Sequence, residues 1–353
     1  MRIAVDAMGG DHAPEAVIDG TFLAQSQCTA DLVLIGNEPV IRELLDRGHN
    51  GAEPEVVHAP LAITMEDVGP LAIRRKRESS LNLAMQMLAG GEVDAVVSAG
   101  NTSAIVASAK HNVGLFPGLR RPALAVSFPT EVGSPLLLDA GAHSQAGTVH
   151  LAQSAVLAHI FLKVTQGLNK PRIGLLNIGR EPVKGTKSVQ RAFALIKRSG
   201  LNFIGNVEPN DLFEGITDAI VCEGFVGNII LKMYEGLSES LIRSLERVLE
   251  LGGGAKDDTL RGTFADFQKS YDYRYIGGAP LLGVKKPVVV AHGRSEGTAI
   301  CSAILLTSRL AEAGICTKMA EELEQDGALA DFKYFNAALI LENLRKKWGF
   351  SPK

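Results

Sequence analysis

Short, continuously apolar runs separated by helical segments limit the possible folds of this chain more than any other feature. A strand whose two faces are both covered shows no alternation of apolar and polar residues. Short buried strands that alternate with helices are typical of a doubly wound, mostly parallel sheet in an α/β protein. The predicted strands are Arg2–Asp6, Asp31–Ile35, Glu55–His58, Ala95–Ser98, Ala123–Phe128, Pro135–Asp139, Arg172–Asn177, Ala219–Cys222 and Val288–His292.

The chain shows no internal repeat and no convincing linker, so we predict a single domain over residues 1–353. Residues 236–279 differ from the rest, because they offer a long helix, a break at Gly252–Gly254 and no obvious strand. We interpret them as a helical projection that makes a dimer or membrane contact.

Proline and serine positions predict where two helices begin. Pro14 fits the first turn of a helix that starts at about Ala13, because a proline there loses no hydrogen bond. Ser80 is the predicted N-cap of a helix that Gly90 ends.

Charge and cysteine usage narrow the functional classes. The formal net charge of -3 predicts no broad nucleic-acid surface. The 4 cysteines have no metal-like spacing and predict reduced thiols in the cytoplasm. The first residues lack an apolar signal core, and the longest stretch without Lys, Arg, Asp or Glu, 140–162, is too polar for a bilayer span. We expect a protein that is soluble or peripherally bound to membranes.

One local pattern recurs after several predicted strands: glycine with small polar residues, then a helix. In a parallel sheet these turns share one edge, and the free N–H groups at helix starts there bind anions. For any single turn, a tight reversal of the chain is the favoured explanation. For the whole set we favour a phosphate-sized ligand, because Asn, Asp, Glu, Lys and His are added at the same edge. The turns begin at Asp6, Ser98, Asn177, Glu223 and His292.

Several common catalytic motifs are absent. The sequence has no GxxxxGK[ST] loop, no GxGxxG after the first strand, no GxSxG and no HExxH. Nucleotide hydrolysis, ordinary dinucleotide binding, serine hydrolysis and zinc hydrolysis are therefore poorly supported, and we predict no metal site. Cys222 is more simply a buried core cysteine than a nucleophile.

Five motifs together resemble the bacterial phosphate acyltransferase family PlsX. The resemblance runs in order from residue 1 to about residue 310. Relative to the usual family pattern, this chain has Ser103 in place of glycine, Glu223 in place of aspartate and His143 in place of asparagine. The motifs are Asp6-Ala-Met-Gly-Gly-Asp11, Ser98-Ala-Gly-Asn-Thr102, Asn177-Ile-Gly-Arg-Glu181 with Lys184-Gly185, Gly224-Phe-Val-Gly-Asn228 with Leu231-Lys232, and Gly277-Gly-Ala-Pro-Leu-Leu-Gly283 with His292-Gly-Arg-Ser295.

The resemblance implies transfer of a fatty-acyl group from acyl carrier protein to inorganic phosphate, without a cofactor. The acyl phosphate product would feed phospholipid synthesis through a separate glycerol-3-phosphate acyltransferase. The family fold is a Rossmann-like α/β/α sheet, similar to phosphotransacetylases and isocitrate dehydrogenases, and it forms homodimers.

Attack of a phosphate oxygen on a thioester needs a bound anion and support for the developing oxyanion. We expect direct attack without an acyl-enzyme. Lys184 would balance the phosphate charge, Asn228 would support phosphate or the oxyanion, and His12 or His292 would protonate the departing thiolate or orient phosphate. For either histidine a turn-stabilising hydrogen bond is an equal alternative. The predicted phosphate- and substrate-binding residues are Asp6, Gly9, Gly10, Asp11, Gly100, Asn101, Thr102, Ser103, Glu181, Gly227 and Lys232.

Two surfaces are candidates for partner binding. Acyl carrier protein is acidic, and Arg74, Arg75, Lys76 and Arg77 form the densest basic cluster, which is otherwise a solvated surface. The helix Leu237–Leu251 is amphipathic and predicts core or dimer packing. The glycine-rich tip beyond it, with Leu260, Phe264 and Phe267, would instead contact the inner face of the cell membrane.

Two rival functions stay open at this point, one a CoA-dependent enzyme of the same fold and the other a non-enzymatic scaffold. A CoA-dependent phosphotransacylase uses the same pantetheine thioester, whereas a decarboxylating dehydrogenase of this fold needs a metal-binding aspartate set that the sequence lacks. A non-enzymatic membrane scaffold for lipid enzymes leaves the loops rich in Gly, Asn and Lys unexplained.

Overall fold

The computed structural model describes residues 1–47, 52–142, 146–251, 258–271, 277–325 and 333–337. Residue contacts divide the chain into two compact units. The first unit comprises Met1–Val113, Asn228–Leu281 and Lys286–Ala313, and the second comprises Gly114–Gly227, Leu282–Lys285 and Gly314–Lys353. The sequence predicted a single domain, and the division into two contact units does not test that prediction.

The strands confirm the mostly parallel α/β class, with helices on both sides of the sheet. In the first unit the order is β3-β2-β1-β4-β11-β10, and only the β10–β11 pair is antiparallel. In the second unit the order is β5-β6-β9-β7-β8, and only the β5–β6 pair is antiparallel. The strands are β1 (Arg2–Asp6), β2 (Asp31–Gly36), β3 (Glu55–His58), β4 (Ala95–Ser98), β5 (Ala123–Ser127), β6 (Leu136–Leu138), β7 (Ile173–Leu176), β8 (Phe203–Val207), β9 (Ala219–Val221), β10 (Ala279–Leu282) and β11 (Val288–Val290).

Every predicted strand is present, with its ends shifted by at most two residues. The sequence analysis missed β8 and β10. In β8 the sequence Phe-Ile-Gly-Asn-Val interrupts the apolar run, and the strand lies at an edge of its sheet with its first three residues not fully buried. In β10 a glycine pair precedes the strand and Pro280 lies within it, and both residue types argue against a strand when only the sequence is considered.

The helices cover most of the remaining described chain. They are α1 (Glu15–Gln25), α2 (Glu38–Leu45), α3 (Gly69–Arg75), α4 (Ser80–Gly90), α5 (Thr102–Ser108), α6 (Thr148–Gln166), α7 (Lys187–Ile196), α8 (Gly224–Leu251), α9 (Asp258–Tyr271), α10 (Gly297–Glu312) and α11 (Ile315–Gln325). In the first unit α1 packs closely on α10, because Gly20 has no side chain: a Cβ there would lie 2.5 Å from the Cβ of Ile300.

Two predicted helix boundaries were wrong. The helix α1 begins at Glu15 rather than at Ala13, and Pro14 is its N-cap residue. Ser79 rather than Ser80 caps α4, because Ser79 has the extended backbone of an N-cap and its side chain accepts a hydrogen bond from the backbone N–H of Asn82. The same helix ends at Gly90 as predicted, and Gly91 follows in the left-handed conformation.

In the described part of the predicted projection, residues 236–251 and 258–271 are helical, and the break at Gly252–Gly254 lies outside the described residues. Four apolar side chains of the predicted stripe on α8 are not packed in the chain's own core. Leu237, Leu241, Leu245 and Val248 are each at least 41% exposed. Core packing, one of the two interpretations of this helix, is therefore wrong.

Within the described residues no helix taken alone is long and apolar enough to span a bilayer. The consecutive helices α10 and α11 reach the length and apolar composition of a bilayer span only when they are counted together as one segment. This result concerns their length and composition alone.

Candidate active site

Three loops of the first unit lie together at the carboxyl ends of β1, β4 and β11. These strands are neighbours and parallel, so the loops that follow them leave the same edge of the sheet. The backbone N–H of Asp11 donates to the carbonyl of Gly293 at 2.8 Å, and that of Ala291 donates to the carbonyl of Ser98 at 2.9 Å. The first, second and last of the predicted turns therefore form one continuous surface.

Asp6 connects two of these loops from below. Its carboxylate accepts a hydrogen bond from the Ser98 hydroxyl at 2.7 Å, and the Ser98 oxygen accepts one from the backbone N–H of Gly100 at 3.1 Å. Asp6 is buried, and this burial raises the pKa of its carboxyl group although its hydrogen bonds act in the opposite direction. Asp6 therefore holds the loops together, and its predicted substrate contact stays a prediction.

The two glycines after β1 are required by the close approach of the loops. A Cβ at Gly9 would lie 2.7 Å from Oδ2 of Asp6 and 2.9 Å from the backbone nitrogen of Gly100. Gly10 has φ of +118°, which disfavours a side chain, and a Cβ there would lie 3.2 Å from the carbonyl oxygen of Gly293. No other residue fits either position without moving its neighbours.

Asn101 is both the cap of α5 and a clamp on the loop that precedes α3. Its Oδ1 accepts hydrogen bonds from the backbone N–H of Ala104 at 3.2 Å and from the Ser103 hydroxyl at 2.7 Å. Its Nδ2 donates to the carbonyls of Met65 at 3.1 Å and Asp67 at 2.8 Å. The predicted contact between this side chain and phosphate is not tested, and the half-buried Thr102 follows in the same turn.

A charged cluster joins α8 to the loop after β11. Nζ of Lys232 lies 2.9 Å from Oε2 of Glu235, and Nε2 of His292 lies 3.4 Å from the same oxygen. Nζ of Lys232 and Nε2 of His292 are also in direct contact. Burial alone would raise the pKa of Glu235, but its hydrogen bonds to His292 and Lys232 outweigh burial and hold that pKa below its usual range.

Sequence reasoning had selected Lys232 and His292 but missed Glu235. The only signal in the sequence was its position three residues after Lys232, which places the two side chains together on a helix. Asn228, one turn before Lys232, is exposed at the start of the same helix.

His12 lies beside an acidic cleft of about 690 Å³. The histidine is exposed in the loop after β1, next to Asp11. An anion near His12 would face several carboxylates, whereas one near Lys232 would face a cation. The residues that line the cleft include Asp11, His12, Glu15, Asp19, Glu296 and Thr298.

Lys184 and Glu181 lie in the second unit, in the loop after β7. Both side chains are exposed. Two buried amides shape this loop: Nδ2 of Asn177 donates to the carbonyl of Lys184 at 3.0 Å, and Nδ2 of Asn206 donates to the carbonyl of Glu181 at 2.9 Å. The loop that carries Lys184 is thus held in a defined shape.

The loop after β6 contains an unusual backbone. Asp139 is fully buried and has φ of +68°, which is uncommon for a residue with a side chain. A Cβ at Gly227 would collide with the carbonyl oxygen of Asp139, so Gly227 allows close packing there. His143, in the altered part of this loop, lies outside the described residues.

Cys222 lies in the same part of the second unit. Its thiol donates to the carbonyl of Leu138 at 3.3 Å, and burial raises its pKa well above the usual range. The thiol is therefore protonated, in agreement with the interpretation of Cys222 as a core cysteine rather than a nucleophile.

The four residues of the predicted docking cluster do not share one environment. Arg74, Arg75 and Arg77 are exposed. Lys76 instead lies 2.5 Å from the carboxylate of Asp67, and hydrogen bonding to Lys76 lowers the pKa of that carboxyl group. Lys76 therefore supports the loop that Asn101 clamps, which leaves three arginines for a partner.

Comparison with known proteins bears on the chemistry of these loops. Residues 1–318 match the family model of a fatty acid synthesis protein. A phosphate acyltransferase of Syntrophobacter fumaroxidans is 56% identical over 353 residues, which are 100% of both chains. The chain belongs to the phosphate acyltransferase family PlsX. A second family member, from Pelotomaculum thermopropionicum, is 38% identical over 344 residues, 97% of this chain and 99% of that protein.

Membership of the phosphate acyltransferase family confirms that the chain is an acyltransferase of fatty acid and phospholipid synthesis. Solved structures agree on the fold. A phosphotransacetylase from Streptococcus pyogenes has a TM-score of 0.60 at 16% identity, covering 89% of this chain and 94% of that one. A phosphotransacetylase from Staphylococcus aureus has a TM-score of 0.56 at 14% identity, with the same coverage. Among the described residues no group of three or more His, Cys, Asp or Glu side chains is arranged to hold a metal ion.

Proposed function

We propose that this chain transfers a fatty-acyl group from acyl carrier protein to inorganic phosphate, giving an acyl phosphate for phospholipid synthesis. The observation that carries the proposal is the full-length match to phosphate acyltransferases. The three bonded loops of the first unit, with Lys232 beside them, support it.

The reaction needs positioning more than it needs a strong base. An oxygen of hydrogen phosphate forms a bond to the thioester carbonyl carbon, the C–S bond breaks with its electron pair on sulfur, and the phosphate proton ends on the thiol. Phosphate is already anionic near neutral pH, so fixed donors and cations supply most of the catalysis. No acyl-enzyme is required.

We assign the phosphate to the surface formed by the loops after β1, β4 and β11. Backbone N–H groups of these loops and the Thr102 hydroxyl are its proposed donors, and Lys232 is its proposed counter-charge. Asn228 is proposed to support phosphate or the oxyanion. Lys184 stays the predicted catalytic cation of the second unit, and its replacement by alanine tests that role. The acidic cleft beside His12 favours His292 over His12 as the histidine that orients phosphate.

The donor is proposed to dock on the exposed arginines at the end of α3. Arg74, Arg75 and Arg77 offer positive charge to an acidic carrier protein. They follow Leu71, whose side chain is 48% exposed, so the cluster combines charge with apolar surface. Since α3 packs against α5, a carrier bound there would lie near the Asn101 turn of the same unit.

The exposed apolar residues of α8 are proposed to form the contact of a homodimer. They recur every three or four residues on a long helix, which is the pattern of helices that pair. As a second partner for this surface we propose the inner face of the cell membrane. An acyl phosphate is an amphiphile that a downstream glycerol-3-phosphate acyltransferase must collect, and a peripheral membrane contact would bring the two enzymes close. The residues are Ile229, Met233, Leu237, Leu241, Leu245 and Val248.

Thiol release by purified protein tests the function. With palmitoyl-acyl carrier protein we expect release only when inorganic phosphate is present. No release at all would contradict the proposal and leave a scaffold as the better explanation. Release without phosphate would contradict it too, because water would then be the acyl acceptor. Faster turnover of palmitoyl-CoA than of the carrier-bound thioester would identify the chain as a CoA-dependent phosphotransacylase. Sedimentation of the protein alone and with liposomes tests the homodimer and the membrane contact separately.

A further inference from the structure

Glu235 is a buried carboxylate with an unusual pair of partners. Only 5% of the residue is exposed, and its Oε2 lies within reach of both Lys232 and His292. Burying a carboxylate is unfavourable unless its lone pairs are occupied. Here a lysine and a histidine occupy them, and both belong to the predicted site.

The orientation of His292 follows from a second contact. The backbone N–H of Arg294 points at Nδ1 of His292 at 3.1 Å. The other ring nitrogen, Nε2, faces Oε2 of Glu235 and also contacts Nζ of Lys232. The ring is therefore held between the Arg294 backbone on one side and the Glu235–Lys232 pair on the other.

The solvent exposure of the side chains increases from Glu235 to His292 and then to Lys232. The side chain of Glu235 is 6% exposed, that of His292 is 19% exposed and that of Lys232 is 46% exposed. The Lys232 ammonium has three donors and is directed at Glu235 and His292 on its inner side, and its exposed side faces solvent. An anion that approaches Lys232 meets a cation whose position is set by one buried anchor.

We propose that Glu235 is a positioning residue for acyl transfer, whose carboxylate fixes the Lys232 ammonium and the His292 ring at the carboxyl end of β11. This inference rests on the proposed function. As the C–S bond breaks, negative charge moves from phosphate to sulfur, and a fixed cation stabilises that charge without rearranging. Glu235 contacts neither phosphate nor thioester and acts through its two partners.

The first experiment replaces the carboxylate by its neutral isostere in the full chain. Glu235→Gln is expected to lower kcat with palmitoyl-acyl carrier protein and inorganic phosphate roughly 10- to 100-fold, because a displaced catalytic group costs that order of rate. The KM for phosphate should change less than about threefold, since the change acts in the transition state. Glu239→Gln, one turn further along α8 on a side chain that is 45% exposed, is the matched control and should keep the unmodified kcat.

A double-mutant cycle separates positioning from a purely structural role. Because Glu235 acts through Lys232 and His292, Glu235→Gln should cost clearly less in a Lys232→Ala background than in the unmodified enzyme, since only its effect on His292 remains. Full additivity of the two losses, or an unchanged kcat in Glu235→Gln, would overturn the proposal.

Should Glu235→Gln not fold, Glu235→Asp keeps the charge but shortens the side chain. The proposal then expects a kcat at least about fivefold lower at an unchanged melting temperature. A kcat equal to that of the unmodified enzyme would refute it. If the unmodified protein showed no phosphate-dependent thiol release, the proposed function itself would be refuted. Failure of the positioning role and failure of the proposed function are therefore distinguishable.

Discussion

Gly9→Ala is the most direct test of how the loops of the first unit are packed. The added Cβ would lie 2.7 Å from Oδ2 of Asp6 and 2.9 Å from the backbone nitrogen of Gly100. Neither neighbour yields easily, because Asp6 is buried and bonded to Ser98, and Ser98 in turn binds the Gly100 backbone. The loops must therefore move apart.

Overpacking of this kind typically costs about 1–3 kcal/mol. With an unfolding entropy of about 2.1 cal/mol/K for each residue of the chain, the melting temperature should fall by about 1–4 °C. The KM for phosphate should rise roughly tenfold, because a shift well below 1 Å is enough to misplace a bound anion. Differential scanning fluorimetry and phosphate-dependent thiol release measure the two effects.

Gly262→Ala is the matched control, since a Cβ at this position of α9 meets no atom within 4 Å. An alanine in an exposed helix is expected to stabilise the protein by about 0.5–1 kcal/mol and to leave the KM for phosphate unchanged. If Gly9→Ala behaved like Gly262→Ala, the close packing of the loops around Asp6 would be refuted.

Three further predictions address other parts of the molecule. Lys184→Ala should lower kcat at least about 100-fold at an unchanged melting temperature, because the exposed side chain contributes charge rather than packing; near-normal turnover removes it from the mechanism. Reversing Arg74 and Arg75 to glutamate should raise the KM for carrier-bound donor about tenfold and spare that for phosphate; equal effects on both would exclude docking there. Burial alone would raise the pKa of Asp218, but hydrogen bonds from Arg172 hold it below its usual range. This pair should therefore stabilise the fold above the ordinary aspartate pKa by about 1 kcal/mol, discounted because Arg172 is partly exposed, and lose that contribution as the pH falls through the lowered pKa. Melting curves of Asp218→Asn against pH check this, and a difference that persists in acid contradicts it.

The strands were predictable because buried parallel strands have a strong local signature. The run Ala95–Ser98 is apolar up to its final serine, and β4 has these bounds in the structure. The signature weakens at the edges of a sheet, where burial is incomplete. For this reason β8, with Gly205 and Asn206 inside it, was missed.

The candidate site was predictable only in part. Glycine turns after strands identified the loops that carry Gly9, Gly100 and His292, because such turns follow from backbone geometry. What each polar side chain binds does not follow from its neighbours in sequence. Asn101 matched the family motif, yet in the structure its amide caps α5 and holds the loop before α3.

By itself the sequence determined the α/β class, the positions of most strands and the family, because these depend on local patterns of apolar residues and glycine. Tertiary structure alone decided that Glu235 meets His292, since the two residues are 57 positions apart in sequence and come together only when α8 and the loop after β11 fold against each other. It also decided that the apolar side of α8 is exposed, because a helical pattern shows which residues share a face but not whether another element covers that face.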